Sequence, residues 1–428
     1  MRAIAKSRKG KSTLAAQKIK VALDYNVPTI VLDYGMVDNT TTYTDLANSL
    51  GEAGQNVEVA HTSHNLFETP SLKKFSEEAR QKHLSTYQSF IVSALETLTL
   101  GGERETRFAK RIRSLLNYSI DGFFLDPVTI KRYERAHTGG FGTTAWQEMP
   151  TLPSYVEFLR QLDLTEIGGE ETAGEARNEI LLQLVTWLRS PVGKAISRPS
   201  EIRLDAPFLS FSLRGARDED EATVCALSAQ SIALVRALEH PKSYLIVDEG
   251  SLLFKNNGLV HAVAETVVNG GKSGIGVEVI TQDIVTIAKS AAGSQFLTNL
   301  GVRTIGAIEE SDIEDLSHYL KKPPEIFYPN AQQSFQPDNI LLCSHWLLLA
   351  EGIQTQVSHF PSPELMALVA THPPEQRARK RYLDYYGNFY QSVTAFAQDY
   401  ARARRSGESM DDLCPSQGSS FIPVFQKV

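Results

Sequence analysis

Cysteine is nearly absent from these 428 residues: Cys225, Cys343 and Cys414 lie far apart and form no CxxC pair. That usage supplies no disulfide framework, leaves little for a zinc site, and fits a reducing compartment. Long apolar runs are scarce as well. Stretches such as Tyr244–Val247 and Trp346–Ala350 fall far short of the roughly 18 to 20 residues that a membrane helix needs. The opening MRAIAKSRKGKST is basic but lacks the apolar stretch of a signal peptide. The expectation is a cytoplasmic protein with no transmembrane segment, able to reach a membrane only through a partner. Excess positive charge is missing too, since 43 Lys and Arg against 50 Asp and Glu leave −7. A surface built throughout for polyanions is excluded, and any DNA contact must be local. What remains is an ordinary globular composition, 42% hydrophobic and 22% charged. At about 150 residues per domain, the length fits two or three units or one large domain with an insertion.

Along the chain, Met1–Ala5 reads as a short strand, followed by a Lys/Ser/Arg/Gly loop and a helical run through Leu14, Ile19 and Leu23. Pro28–Asp33 and Asn56–Ala60 read as further strands on either side of a helical Tyr43–Leu50. This β-α-β-α-β order predicts a parallel sheet. From 70 to 205 the texture turns to charged segments with helical spacing, broken by glycine pairs, which predicts a mostly helical insertion. Strands resume at Phe208–Leu213, Tyr244–Val247, Val277–Thr281 and Val302–Ala307. Beyond 375, Tyr382, Tyr386, Phe389, Val393, Phe396 and Tyr400 repeat every three or four residues, as one aromatic stripe on one long helix with basic ends. Ser406–Val428 is rich in Ser, Gly, Pro and Asp and reads as a disordered tail.

The sharpest chemical signal is Ala5-Lys6-Ser7-Arg8-Lys9-Gly10-Lys11-Ser12-Thr13. It matches the phosphate-binding pattern G-x-x-x-x-G-K-[ST] except for Ala5 at the first glycine. Amides around Gly10 at a helix N-terminus would face phosphate, the Lys11 ammonium would reach the β and γ oxygens, and the Ser12 hydroxyl would ligate Mg²⁺. A bare Gly-Lys-Ser is weak evidence, and the chain holds a second at Gly271-Lys272-Ser273. There a helical stretch precedes and a strand follows, the reverse of what phosphate binding at a helix N-terminus requires.

Leu245-Ile246-Val247-Asp248-Glu249 is an apolar run closed by two carboxylates. Any strand can end in solvated acids. A buried parallel strand can also end in a Mg²⁺-organising carboxylate, Asp248, and a general base for water, Glu249. Gln282 follows the next strand, where its amide can orient water or donate to a γ-phosphate, although a surface turn explains it equally well in isolation. The order of the three elements favours the site, because open α/β sheets bind ligands at the C-terminal strand edge. Other constellations read as bland. His61 and His64 have no further ligand types nearby, and Arg104, Arg107, Lys110, Arg111 and Arg113 read as a solvated helix face.

AKSRKGKST, TIVLDYG with TYTDLANSLG, SYLIVDEGSLLF and VEVITQD, in this order, resemble the ATPase domain of conjugation and type IV secretion ATPases, the TraC-like and TrbE-like proteins. The resemblance covers most of residues 1–381. It implies an α/β, RecA-like P-loop NTPase core with a parallel central sheet in two parts, 1–69 and 206–374. Around it would lie a helical insertion at 70–205, a C-terminal helix at 375–405 and a tail at 406–428. It also implies an ATP and Mg²⁺ site spanning Ser7, Arg8, Lys9, Gly10, Lys11, Ser12 and Thr13. Asp248 and Ser12 would serve the metal, Glu249 would be the base and Gln282 the sensor. The implied assembly is a hexameric ring working with inner-membrane channel proteins and other transfer ATPases. Three departures stand out. Ala5 replaces a glycine. The family's arginine before the sensor strand is absent, leaving Lys272 or Arg303 as basic residues able to act on a neighbour's phosphates. The chain also begins at the phosphate loop, which suggests a truncated or split product. Two rival readings share the site: an ATP-driven DNA translocase, and a nucleotide-binding structural subunit that does not hydrolyse.

Overall fold

The computed structural model describes residues 1–6, 9–34, 42–101, 106–202, 205–213, 219–248, 253–254 and 256–415. Its centre is one nine-stranded sheet built from β1 (Arg2–Ile4), β2 (Thr29–Asp33), β3 (Gly54–Glu58), β4 (Phe208–Ser212), β5 (Ser243–Asp248), β6 (Ile275–Thr281), β7 (Arg303–Ile305), β8 (Ser344–Ala350) and β9 (Ile353–His359). The strand order is β3-β4-β2-β5-β6-β1-β7-β8-β9. Pairing is parallel from β3 through β7, and antiparallel for β7 with β8 and β8 with β9. The three-residue β1 is held between β6 and β7, so the loop that follows it emerges at the middle of the sheet.

Side-chain alternation explains why helices cover both faces. Ile30, Leu32, Leu245, Val247, Val277 and Val279 point into one apolar cluster, and Val31, Ile246 and Ile280 into another. Strands buried on both faces read as continuous β-branched runs, as TIVLD and YLIVD do. On the second face lie α1 (Lys11–Asp24), through Ala15, Ala16 and Ile19, and α2 (Thr44–Ser49), through Leu46 and Ala47. The first face carries the helices of the middle region, α3 (Glu77–Leu100), α4 (Arg107–Leu125), α5 (Pro127–Gly139), α6 (Thr144–Gln147), α7 (Leu152–Gln161), α8 (Gly169–Arg189) and α9 (Pro191–Ala195), with α10 (Glu219–Leu238) and α11 (Asn257–Gly270). The middle region is pinned by an aromatic knot in which Phe67, Phe123 and Tyr155 lie within 5.6 Å of one another by ring centroids. Asn65 ties it to the core by donating to the Pro150 carbonyl and pairing with Ser197 in an isolated bridge.

Two expectations change. The antiparallel pair β8–β9 was not foreseen: SHWLLLA reads only as a short apolar run, and the sequence reading passed over the alternation of Ile353, Thr355 and Val357 with Gln354, Gln356 and Ser358 in IQTQVSH, a strand exposed along nearly its whole length. The long C-terminal helix is two helices, Pro373–Tyr386 and Phe389–Ser406. Gly387 breaks them at φ 64° and Asn388 caps the second by accepting from Gln391 N at 3.0 Å. The aromatic stripe folds into their shared interface, where Tyr382 meets Phe396 at 5.4 Å between ring centroids. Glu221–Leu238 is long and apolar enough to cross a membrane by length and composition. That segment is 89% buried within the fold, and it serves as a core helix.

Candidate functional site

Where β1 ends, the chain is wedged between its neighbours: Ala5 N donates to Thr281 O and Lys6 N to Ala307 O, both at 3.3 Å. Ala5 is fully buried, and its backbone is not left-handed. Its methyl group fits because residue 306 is glycine, where an added Cβ would stand 2.8 Å from the Ala5 Cβ and 3.0 Å from the Trp346 ring. The alanine that departs from the phosphate-loop pattern is therefore accommodated by a glycine on the adjacent strand end. Gly10 is the position that needs glycine, with φ 89° at the N-cap of α1. Its own Cβ would meet Ser344 Oγ at 2.9 Å, and that hydroxyl accepts from the buried Trp346 indole at 2.9 Å. The unforeseen strand β8 is thus the back wall of the loop.

Lys11 is buried at 8% exposure, and its ammonium donates to the Ala5 and Lys6 carbonyls at 2.9 and 3.1 Å. Thr13 Oγ1 donates back to Gly10 O at 2.8 Å, and Ser12 is half-buried between them. The first turn of α1 has no acidic residue, so its N-terminal amides keep their affinity for an anion. Two more lysines are tethered outward. Lys6 pairs with Asp312 at 2.9 Å, a hydrogen bond that raises the lysine pKa, and Lys9 donates to Gln336. Ser7 and Arg8 lie outside the described residues.

On the same edge, two strands away, Asp248 ends β5 directly opposite Asp33 at the end of β2. Both are buried, at 3% and 4% exposure. Tyr43, fully buried, donates its hydroxyl to Asp248 Oδ2 at 2.5 Å. Burial first, and then the Asp248 charge, push the Tyr43 pKa well up, so it stays a proton donor. The Asp33 carboxylate accepts from Thr42 N at 3.4 Å. Gln282 follows β6, the strand between β5 and β1, and so stands between the carboxylates and the phosphate loop. Glu249 lies outside the described residues. Asp33, Asp248 and Ser12 offer only hard oxygen donors, a set that suits Mg²⁺, and Lys11 with the α1 amides suits a polyphosphate.

The remaining candidates do not join this edge. Gly271–Ser273 forms a single 3₁₀ turn entering the start of β6, at the opposite end of the sheet, with Lys272 exposed and Ser273 Oγ 3.2 Å from Thr86 Oγ1. Arg303 begins β7 level with Arg2, also on the far edge. Burial lowers its pKa, and it donates to Leu297 O at 3.5 Å. Neither reaches the phosphate loop of its own chain. The sequence reading passed over Asp33, Tyr43, Gly306 and Ser344. A signal existed for the first, because TIVLD closes on an aspartate as YLIVD does, but only the second was weighed. Gly306 and Ser344 carry no such signal, since their role depends on strands that meet only in the fold.

No protein-family model matches the sequence, and no curated protein does. Among solved structures the chain is similar to VirB4 of Thermoanaerobacter pseudethanolicus, with a TM-score of 0.53 and 14% identity over 83% of this chain and 87% of that one. It is more loosely similar to the plasmid coupling protein TrwB in complex with ADP and Mg²⁺, with a TM-score of 0.47 and 14% identity over 84% of each chain. At such identity the likeness to VirB4 is one of fold: an α/β architecture with a mostly parallel central sheet, in which the loop before α1 emerges at the sheet's C-terminal edge.

Proposed function

We propose that the chain is a Mg²⁺-dependent ATPase that energises a conjugation or type IV secretion apparatus. The observation that carries this reading is the common edge of Gly10-Lys11-Ser12, at the start of α1, and the buried Asp33–Asp248 pair. The motif resemblance to conjugation and secretion ATPases supports it, as does the fold shared with VirB4.

In this mechanism Lys11 and the amides of α1 bind and orient the β- and γ-phosphates of ATP. Ser12 and Asp248 hold Mg²⁺, with Asp33 beside Asp248. When bound, the ion neutralises charge on the phosphate oxygens and orients them for in-line attack. Glu249 accepts the proton of the attacking water, and Gln282 orients that water or registers the γ-phosphate. Tyr43 keeps the Asp248 carboxylate in one orientation. Lys272 and Arg303 act, if on any phosphate, on that of a neighbouring copy in a hexameric ring. The ring works at the cytoplasmic face of the inner membrane, bound to channel proteins and other transfer ATPases.

The test is steady-state ATP hydrolysis by the chain and by Glu249→Gln across a range of protein concentrations, with and without DNA. Turnover that grows per subunit with concentration and vanishes in Glu249→Gln is expected. Strong stimulation by DNA that falls with salt would move the reading to a DNA translocase. ATP binding without turnover would leave a structural subunit.

A further inference from the structure

Beside the phosphate loop lies a polar cavity of about 480 Å³, lined by Lys9, Gln333, Gln336, Pro337, Asn339 and Arg404. Three distant parts of the chain meet there: the phosphate loop, the segment leading to β8, and the last long helix. We propose that this cavity receives the base and ribose of the nucleotide whose phosphates the loop binds, so that Gln333, Asn339 and Arg404 determine nucleoside recognition. The inference rests on the nucleotide reading above and extends it to the half of the ligand that the phosphate loop does not touch.

Four observations support it. Lys9, one residue before Gly10, is both part of the loop and part of the cavity wall, so a ligand anchored at Lys11 has this space next to it. Its size falls within the roughly 300 to 1,000 Å³ of small-molecule sites. Its lining holds three carboxamides; Gln336 accepts from Lys9, while Gln333 and Asn339 are exposed, each with a donor and an acceptor, the combination needed to pair with the edge of a heterocyclic base or with sugar hydroxyls. Finally, the Arg404 guanidinium is held in place without being used up. It lies 3.6 Å from Glu375 and 6.0 Å above the Tyr400 ring, and a third of its side chain stays exposed. A fixed planar cation with an exposed part can stack on a base. An anion alone would call for none of the three amides.

The experiment compares binding of ATP and of inorganic tripolyphosphate, both with Mg²⁺, to the full chain by titration calorimetry. Variants are Gln333→Ala/Asn339→Ala, whose side chains are exposed and carry no structural contact on which folding depends, and Arg404→Ala. The expected result is a loss of roughly tenfold in ATP affinity in each variant, with tripolyphosphate affinity held within about twofold. Equal losses for both ligands would overturn the proposal, because the cavity would then act on phosphate, and so would unchanged ATP affinity in both variants. A wild-type chain that binds neither ligand would sink the nucleotide reading itself and this inference with it. That failure shows before any variant is made, and so differs from failure of the cavity alone.

Discussion

Gly-Lys-Ser occurs twice in this chain, and the two copies stand at opposite edges of one sheet. In the first, Gly10 turns the chain at φ 89° into α1, and Lys11 is buried across the loop. In the second, the tripeptide is a 3₁₀ turn between the end of α11 and the start of β6, and Lys272 faces solvent. The residues are identical, but the direction of the chain is reversed relative to the helix. Only the first presents amides at a helix N-terminus, on the edge that carries Asp33 and Asp248. Chemistry here belongs to position on the sheet, and the tripeptide alone specifies none.

The largest effect that would break this contrast comes from what fixes α1 against the sheet. Lys18 on α1 reaches Glu278 on β6 at 2.6 Å, and Tyr244 on β5 donates to the other carboxylate oxygen, with Glu278 wholly buried. Lys18→Met would leave that carboxylate charged and unpaired, costing about 3 kcal/mol, the low end for a buried pair because Lys18 is partly exposed. Adding Glu278→Gln removes the stranded charge while keeping an acceptor for Tyr244, and stability should largely return. Denaturant midpoints of the three proteins measure this. If the double variant is no more stable than the single, the pair does not anchor α1.

The next effect compares the two lysines directly. Lys11→Ala should weaken Mg-ATP binding by roughly 10- to 150-fold, the worth of a hydrogen bond to a charged group. Lys272→Ala should leave it unchanged in the isolated chain, where the lysine lies on the far edge. Calorimetric titration of both variants decides the matter. Loss of affinity in Lys272→Ala at concentrations where the chain is monomeric would contradict the placement of the second motif. A fall in turnover seen only where subunits associate would mark it as acting on a neighbour.

How much of this was readable beforehand follows from the kind of signal each part leaves. The buried parallel strands announced themselves as apolar runs, and their order gave the sheet's direction and hence the edge where Lys11, Asp248 and Gln282 gather. The edge pair β8–β9 left a weaker trace: Ile353, Thr355 and Val357 alternate with Gln354, Gln356 and Ser358, but β9 is solvated and lacks the apolar run that marks the buried strands. The stripe from Tyr382 to Tyr400 kept helical spacing straight across Gly387, so periodicity alone could not reveal that one glycine folds it into a hairpin. Partners that meet across the fold, such as Asp45 with Arg379 at 2.7 Å or Gly306 with Ala5, have no local signature at all.

The smallest effects sharpen the contrast most, because they separate a glycine that the loop requires from one that it only resembles needing. Gly10→Ala forces a side chain into left-handed backbone and against Ser344 Oγ, which should cost about 1 to 3 kcal/mol and weaken nucleotide binding. Ala5→Gly restores the conventional loop pattern, yet Ala5 has ordinary backbone and a methyl group that fills the space left by Gly306. Its removal should therefore cost about 0.8 kcal/mol of stability, the worth of one buried carbon. ATP affinity should stay the same, since no phosphate contact changes. Thermal unfolding with and without Mg-ATP reads both quantities. If Ala5→Gly instead raised affinity or switched on turnover, the alanine would be a disabling substitution and the chain a structural subunit. If it did neither, the glycine opposite would be sufficient explanation for the alanine.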